Sequence, residues 1–263
     1  MSASDKKPSG FYRTLRRFDG VTFPLIVLAV LVTVWESVVS IFHIPPTTLP
    51  APSAIAGAMK RIFGTEIMPH LGVTLQVLVI GFVTAIVVGV VFASLLSQYT
   101  TLSITLSPFV VLWVTMPMLA TLPLLMTWLG YGVEPRILIV SVTASGMVAL
   151  NSVAGFRKVE QEKLELMASL GAGKWQTFFK CVFPNALPSV FAGIKLGCIN
   201  ATLSTLGVEI AGFGSGIGSR ITLYATLVDF PVVFACILIT ILIGVTLFTT
   251  VTMIERRILF WKK

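Results

Sequence analysis

The sequence predicts an all-α polytopic membrane bundle with about six transmembrane helices. Three observations carry this expectation. Of the 263 residues, 56% are hydrophobic and only 11% are charged, whereas an ordinary soluble domain is about 25% charged. Six separate stretches are apolar over the roughly 20 residues that a helix needs to cross lipid. The Lys and Arg residues crowd into alternate loops between those stretches, as membrane topology demands. Disordered, collagenous and average globular classes are excluded by composition alone.

The six spans fall near 22–43, 71–97, 105–130, 134–154, 187–209 and 231–254. The first is longer than the apolar core of a signal peptide and is followed by no small-residue cleavage site, so it reads as an uncleaved anchor. Residues 1–20 ahead of it form a basic tail, and 21–263 a single transmembrane domain. Two spans carry small residues at every fourth position: Gly81, Ala85, Gly89 and Ala93 in the second, and Gly193, Gly197, Ala201 and Thr205 in the fifth. Such stripes let helix backbones approach where lipid supplies no hydrophobic drive. Bundle packing is the expected role, and a moving interface the alternative. The third span contains Pro108, Pro117 and Pro123. Each removes a backbone donor and favours a kink, and the freed carbonyls need protein or water as partners. That suits a helix facing the bundle interior, or equally a merely structural kink.

Charge sets the orientation. Lys6, Lys7, Arg13, Arg16 and Arg17 precede the first span. Arg157, Lys158, Lys163, Lys174 and Lys180 follow the fourth, and Arg256, Arg257, Lys262 and Lys263 follow the sixth. With six spans these regions share one side, and the opposite side holds only Lys60, Arg61, Arg136 and Arg220. The positive-inside rule then predicts both termini in the cytoplasm. The net charge of +8 is thereby explained by topology and membrane lipid. No basic patch interleaved with aromatics remains for nucleic acid.

One long polar segment, 155–188, interrupts the inner span ends. Leu164, Met167, Ala168 and Leu170 have helical spacing beside Glu160, Glu162, Lys163 and Glu165, which predicts an amphipathic helix. Gly171 and Gly173 can cap it and turn the chain. A second short helix, Lys174 to Phe183, would present Trp175, Phe178 and Phe179 and end at Pro184. This pair reads as a docking knob for a partner groove, or as a helix lying in the lipid interface.

Chemistry is sparse. Cys181, Cys198 and Cys236 form no C-x-x-C pair, and His43 and His70 lie far apart, against a disulfide framework or a standard zinc site. Ala168 and Trp175 break the P-loop pattern around Gly173-Lys174. No nucleophile elbow or H-E-x-x-H pair occurs. The expectation is therefore no enzyme, with no catalytic, cofactor-binding or metal-binding residue. Ionisable residues within spans are functional candidates. Glu36 in the first span reads as a structural hydrogen-bonding group. Glu209, at the outer end of the fifth, reads as a brace of an outer gate or a lining of the solute route. Asn200, Ser204 and Thr205 at mid-span contact a passing solute or join helices.

These motifs resemble the inner-membrane permeases of binding-protein-dependent ABC importers. That family carries the cytoplasmic signature Glu-Ala-Ala, three residues, Gly, nine residues, Ile-x-Leu-Pro. Here Glu165, Gly171 and Pro184 fit it with correct spacing. Leu166 and Met167 replace the alanines, Cys181 the isoleucine and Phe183 the leucine. Ala168-Ser-Leu-Gly-Ala172, Lys174-Trp175-Gln176 and Pro184-Asn-Ala-Leu-Pro188 resemble the sulfonate, taurine and nitrate-type branch. So do Trp35-Glu36, Pro117 with Leu122-Pro123-Leu124 and Trp128-Leu-Gly130, Asn151 through Gly155, and Glu209 with Gly212, Gly216 and Gly218. The resemblance covers roughly residues 30–260.

It implies a type I ABC importer permease-like fold, working as a homodimer in the cell inner membrane. Two cytoplasmic ATPase subunits would hold ATP and Mg, and an extracytoplasmic solute-binding protein would deliver a small organic or inorganic anion such as a sulfonate, taurine or nitrate. Glu165, Ala168, Gly171, Ala172, Lys174, Trp175, Phe178, Phe179 and Pro184 would couple to the ATPase. Pro117, Asn151, Asn200, Ser204, Glu209 and Gly212 are pathway or gate candidates. The alternatives are a secondary transporter driven by an ion gradient and a non-transporting membrane scaffold.

Overall fold

The computed structural model describes residues 10–212 and 214–260. The start of the basic tail, with Lys6 and Lys7, lies outside the described residues; from Gly10 onward the tail is already helical. The elements are α1 (Gly10–Ile41), α2 (Pro52–Ile62), α3 (Met68–Gln98), α4 (Thr100–Thr115), α5 (Met118–Leu129), α6 (Val133–Phe156), α7 (Gln161–Ser169), α8 (Lys174–Thr177), α9 (Phe183–Ala211), α10 (Ile217–Thr226) and α11 (Phe230–Ile258). Two π turns, Phe63–Ile67 and Phe178–Val182, join α2 to α3 and α8 to α9.

The core is a slab of three helices with α6 at its centre. Small residues place them. A Cβ on Gly81 would lie 2.7 Å from Val140 Cγ1, and one on Gly89 would lie 2.7 Å from Val148 Cβ. From the other face, a Cβ on Gly193 would lie 2.8 Å from Asn151 Cβ and one on Gly197 2.9 Å from Val148 Cγ2. Only glycine permits contact this close, so both stripes serve packing, as expected. The pairings also give direction: α3 runs parallel to α6, and α9 antiparallel to it.

Since α3 and α6 point the same way, the chain must return across the bundle between Gln98 and Val133. The third span makes that return, and here the structure corrects the sequence. Instead of one kinked helix, α4 and α5 are separate helices bent by 102°. Pro117 occupies the N-cap of α5, with Met116 and Pro117 out of helical conformation. Pro108 and Pro123 lie within helices, so only one of the three prolines breaks the span. The broken pair still crosses once. Its start lies beside the end of α6, where Arg157 donates to the hydroxyls of Ser103 and Ser107. Its end at Leu129 lies a short turn before the beginning of α6. Among the described residues, five helices are long and apolar enough to cross a membrane, and this pair, taken as one span, makes six.

Helix α11 runs antiparallel to α9, with Gly244 against Thr202 and Glu255 against Lys195. The bundle thus has a rim end, carrying the glycine-rich turn from Gly212 to Gly218, and an elbow end, carrying α7 and α8. Helix α2 is amphipathic. Its Ile55, Ala58 and Ile62 are buried, the last two in a small cluster with Ile217, Val232 and Cys236 of α10 and α11. Arg61 reaches Asp229 at 2.6 Å. The spans run longer than expected: the fifth begins at Phe183 and the sixth ends at Ile258.

Packing of this kind has a direct test. Gly89→Val should lower thermal stability in detergent by about 1–3 kcal/mol through overpacking. Gly57→Ala, on α2 with nothing within 4 Å of an added Cβ, should be neutral or stabilising by up to about 1 kcal/mol. Midpoints of thermal unfolding compare the two.

Candidate functional site: a capped elbow and a charged rim

At the elbow, α7 ends in a full Schellman closure. The Gly171 N–H donates to the Ala168 carbonyl at 3.0 Å and the Ala172 N–H to the Met167 carbonyl at 3.0 Å. Gly171 has φ +71°, the left-handed region where a Cβ is disfavoured. Gln176 Oε1 accepts from the Gly173 N–H at 3.2 Å, which starts α8. No residue of α7 or α8 is buried. Leu166, Leu170, Trp175 and Phe179 are 59%, 72%, 57% and 61% exposed, and the Trp175 and Phe179 rings stack with centroids 5.9 Å apart. Glu165, Ala168 and Lys174 are exposed beside them, and Ala172 is half-buried. The elbow is a rigid turn that holds four large apolar side chains away from the bundle.

Two expectations for this segment fail. Phe178 is not on the exposed face; it is 3% exposed and packs edge-on against Phe156 at 5.3 Å and near Phe183 at 6.0 Å. Helical phase explains this, because Trp175 and Phe179 share a side that Phe178 does not. Nor does Pro184 end the second helix. The chain passes through the π turn directly into α9, whose first turn contains Pro184. Proline lacks only an N–H that is unpaired in a first turn, so it starts the span and does not stop a helix.

At the rim, buried charge fixes the glycine turn. Arg136 is 2% exposed and Glu209 0%. Arg136 donates through Nη1 to the Ser215 carbonyl at 2.8 Å, and through Nη2 to the carbonyls of Gly212 at 3.1 Å and Tyr131 at 3.2 Å. Glu209 Oε2 accepts from the Gly218 N–H at 2.8 Å. From α3, Thr74 Oγ1 accepts from the Ile217 N–H at 2.9 Å and His70 Nδ1 from the Gly216 N–H at 3.0 Å. Nearby, Arg220 pairs with Glu66 at 3.2 Å. Gly216, at φ +102°, has no room for a side chain: a Cβ would lie 2.2 Å from Glu209 Cδ. Of the two roles open to Glu209, this geometry is that of a brace.

The remaining polar candidates divide. The hydroxyls of Ser204 and Thr143 lie 3.0 Å apart, and Ser204 donates to Asn200 Oδ1 at 3.3 Å, which joins α9 to α6. Thr205 is buried nearby in α9. Asn151 donates to the Met147 carbonyl of its own helix at 2.9 Å. Pro117 belongs to neither group. Glu36 accepts from the Ser53 N–H at 2.9 Å and hydroxyl at 2.6 Å, the structural role expected. Lys195 is neutralised by Glu255 at 2.8 Å. Sequence reasoning missed the roles of Arg136 and Glu255. A charge within a span pairs or meets carbonyls, so Arg136 in the fourth span and Lys195 in the fifth, whose partner is Glu255 at the end of the sixth, were the usable signal.

A polytopic helical subunit with a braced rim and an apolar elbow raised from its far end is built as the membrane part of a larger transport assembly. The chain belongs to the family of binding-protein-dependent transport system inner membrane components, whose family model matches residues 85–260. It is therefore an ABC importer permease subunit and not an enzyme; in such importers ATP and Mg belong to the ATPase partner.

It is 27% identical to the taurine transport system permease protein TauC of Escherichia coli K12, over 92% of this chain and 90% of that one. It is 26% identical to the riboflavin transport system permease protein RibX of Chloroflexus aurantiacus, over 95% and 94%, and 26% identical to the nitrate import permease protein NrtB of a Synechocystis strain, over 74% of each. The fold matches the inward-facing MetNI methionine ABC transporter with TM-score 0.61 at 17% identity, over 72% of this chain and 94% of that one. It also matches a bacterial ABC transporter that imports alginate, with TM-score 0.61 at 11% identity, over 95% and 100%.

Removing the rim brace should be costly. Arg136→Met leaves the carbonyls of Ser215, Gly212 and Tyr131 without their buried donor and should cost about 1–3 kcal/mol. Gly216→Ala should destabilise in the same way, through the Glu209 clash. Arg61→Met, whose side chain is 62% exposed, should cost at most about 1 kcal/mol. Yield and thermal midpoint of the purified membrane protein measure all three.

Proposed function

We propose that this chain is the homodimeric permease of an importer for a small polar solute, driven by ATP hydrolysis on two cytoplasmic ATPase subunits that grip the elbow. The observation that carries the reading is the capped, exposed elbow at Gly171. Leu166, Leu170, Trp175 and Phe179 stay more than half exposed, and a groove that buried them would gain about 25 cal/mol per Å2. Residues Glu165, Ala168, Gly171, Ala172, Lys174, Trp175 and Phe179 form the coupling surface. Phe178 and Pro184 act beneath it, at the junction with α9.

Both termini and the elbow face the cytoplasm. The support is the Lys and Arg excess at the elbow end, together with an even number of crossings, four before the elbow and six between the termini. An extracytoplasmic binding protein delivers solute at the rim, where Glu209 and Gly212 shape the gate. Asn151, Asn200 and Ser204 mark the interior route, and Pro117 the bend of the broken span. The solute class is a small organic or inorganic anion or zwitterion, such as a sulfonate, taurine or nitrate. Relatives named for taurine, aliphatic sulfonates and nitrate support this, and the riboflavin and formylaminopyrimidine permeases among them widen the range to be assayed.

The coupling assignment is tested by Gly171→Asp and by Trp175→Ala with Phe179→Ala. Each should insert normally, yet the double variant should lose at least tenfold in co-purified ATPase, and Gly171→Asp should lose solute-stimulated ATP hydrolysis. Parental values for both would refute the coupling role. A single cysteine at Ser169, labelled from one side of sealed vesicles, should react only from the cytoplasm; reaction from the exterior would overturn the orientation.

A further inference from the structure

Two of the short helices of the bundle, α2 and α8, enter their spans in the same way. Helix α2 leads through the π turn Phe63–Ile67 into α3, whose first turn holds Pro69. Helix α8 leads through the π turn Phe178–Val182 into α9, whose first turn holds Pro184. In each, the residue before the proline closes the wide turn: Met68 N–H donates to the Phe63 carbonyl, and Phe183 N–H to the Phe178 carbonyl. Proline then cannot supply the next N–H to the ladder. A π turn carries one residue more per turn than an α-helix and is a weaker link in it. The two joints sit at opposite ends of the slab, one at the rim and one at the elbow, because α3 and α9 run antiparallel.

The segments on either side differ sharply in how they are held. Helix α9 is locked to α6 through Gly193 and Gly197, and its buried residues extend from Ala186 to Glu209. The elbow has no buried residue in α7 or α8. Between them, Phe178 and Cys181 are the buried members of the π turn. The Phe178 ring rests on Phe156 at the end of α6, with Phe183 and Phe179 also around it. A rigid body, a seated ring, a loosened turn and one exposed tie across it, the Lys163 Nζ–Asn185 Oδ1 hydrogen bond at 3.2 Å, make up the parts of a pivot.

We infer that the π turn Phe178–Val182 is a joint on which the elbow rotates against a slab of α3, α6 and α9 that moves as one body, with Phe178 as its fulcrum. This rests on the reading of the elbow as the ATPase seat. The elbow then does not push α9 along its axis. It swings, and Phe178 turns the swing into a tilt of the whole slab through the end of α6. Deleting one residue of the turn converts the wide turn to an ordinary α turn while keeping the facing of the residues on each side, since the extra residue is the one removed.

Paired spin labels test the joint without knowledge of the solute. The assembly is the full chain with its co-purified ATPase in nanodiscs, one labelled protomer mixed with excess unlabelled chain. One pair spans the joint, Ser169→Cys with Leu203→Cys; the other lies within the slab, Val83→Cys with Leu203→Cys. All three positions are exposed. Trapping with ATP and vanadate should shift the first distance by several ångströms and leave the second unchanged. Deletion of the exposed Lys180 should abolish the shift with the ATPase still bound, whereas Lys180→Ala should retain it.

A constant elbow distance, or an equal change within the slab, overturns the joint, and so does a parental shift in the deletion variant. If the deletion variant does not assemble, the two parental distances decide alone. If the parental chain captures no ATPase, the coupling reading itself falls, which is a separate result from a rigid elbow on a bound ATPase.

Discussion

Close backbone contact on both faces of α6 is the constraint from which the rest follows. Lipid tails are as apolar as leucine, so burial of leucines does not hold membrane helices together. Dispersion between closely fitted surfaces does, and it fades steeply once a gap opens. Val148 receives Gly89 from α3 on one side and Gly193 and Gly197 from α9 on the other. Any side chain at those glycines displaces a backbone. The slab is rigid for the same reason that it is stable, and a rigid slab has two ends on which other parts can be hung.

What hangs at the rim is held by charge. An arginine and a carboxylate taken out of water cost more than their attraction returns unless further hydrogen bonds compensate them. The glycine turn provides these, because carbonyls outside a helix lack ladder partners and can converge on a guanidinium. Gly212 and Ser215 do so on Arg136. Gly214 and Gly216 supply the positive φ, +127° and +102°, that bends the turn around the two charges. Held by separate backbone groups, Arg136 and Glu209 contribute less to net stability than to fixing one conformation of the turn. A turn already ordered spares a docking partner the entropy of ordering it.

Much of this was legible in the sequence. Apolar length gave the spans, and the four-residue repeats gave the packing faces, because both depend on a periodicity that helices enforce. The elbow was legible too: glycine at Gly171 and apolar spacing before it are a local signal, and the family match at 85–260 agrees with the ordered motifs. What escaped depended on contacts distant in sequence or on continuity of the chain. The break at Pro117 looks like the intact helices at Pro108 and Pro123 when only the proline is visible. Phe178 reads as one more elbow aromatic until the end of α6 supplies Phe156 beneath it. Arg136 was counted only for its side of the membrane because two of its three carbonyl partners, Gly212 and Ser215, lie 76 and 79 residues away.

The elbow's energetics separate holding from switching. Fully burying one large apolar side chain stabilises by about 1.5–3 kcal/mol, so a few of them seat a partner firmly. Firm seating alone moves nothing: a contact of equal strength in two states leaves their ratio unchanged, and a shift from 1:99 to 99:1 takes about 5.5 kcal/mol of difference between states. On the proposed coupling, the exposed rings Trp175 and Phe179 would serve as a tether, and the tether alone would set no preference between states. The difference has to arise where nucleotide binds, in the ATPases, and reach the slab as a change of position. For that, the tether must not itself deform. The Schellman closure at Gly171 and the stacked Trp175 and Phe179 rings make the elbow stiff, and any compliance is confined to the turn behind it.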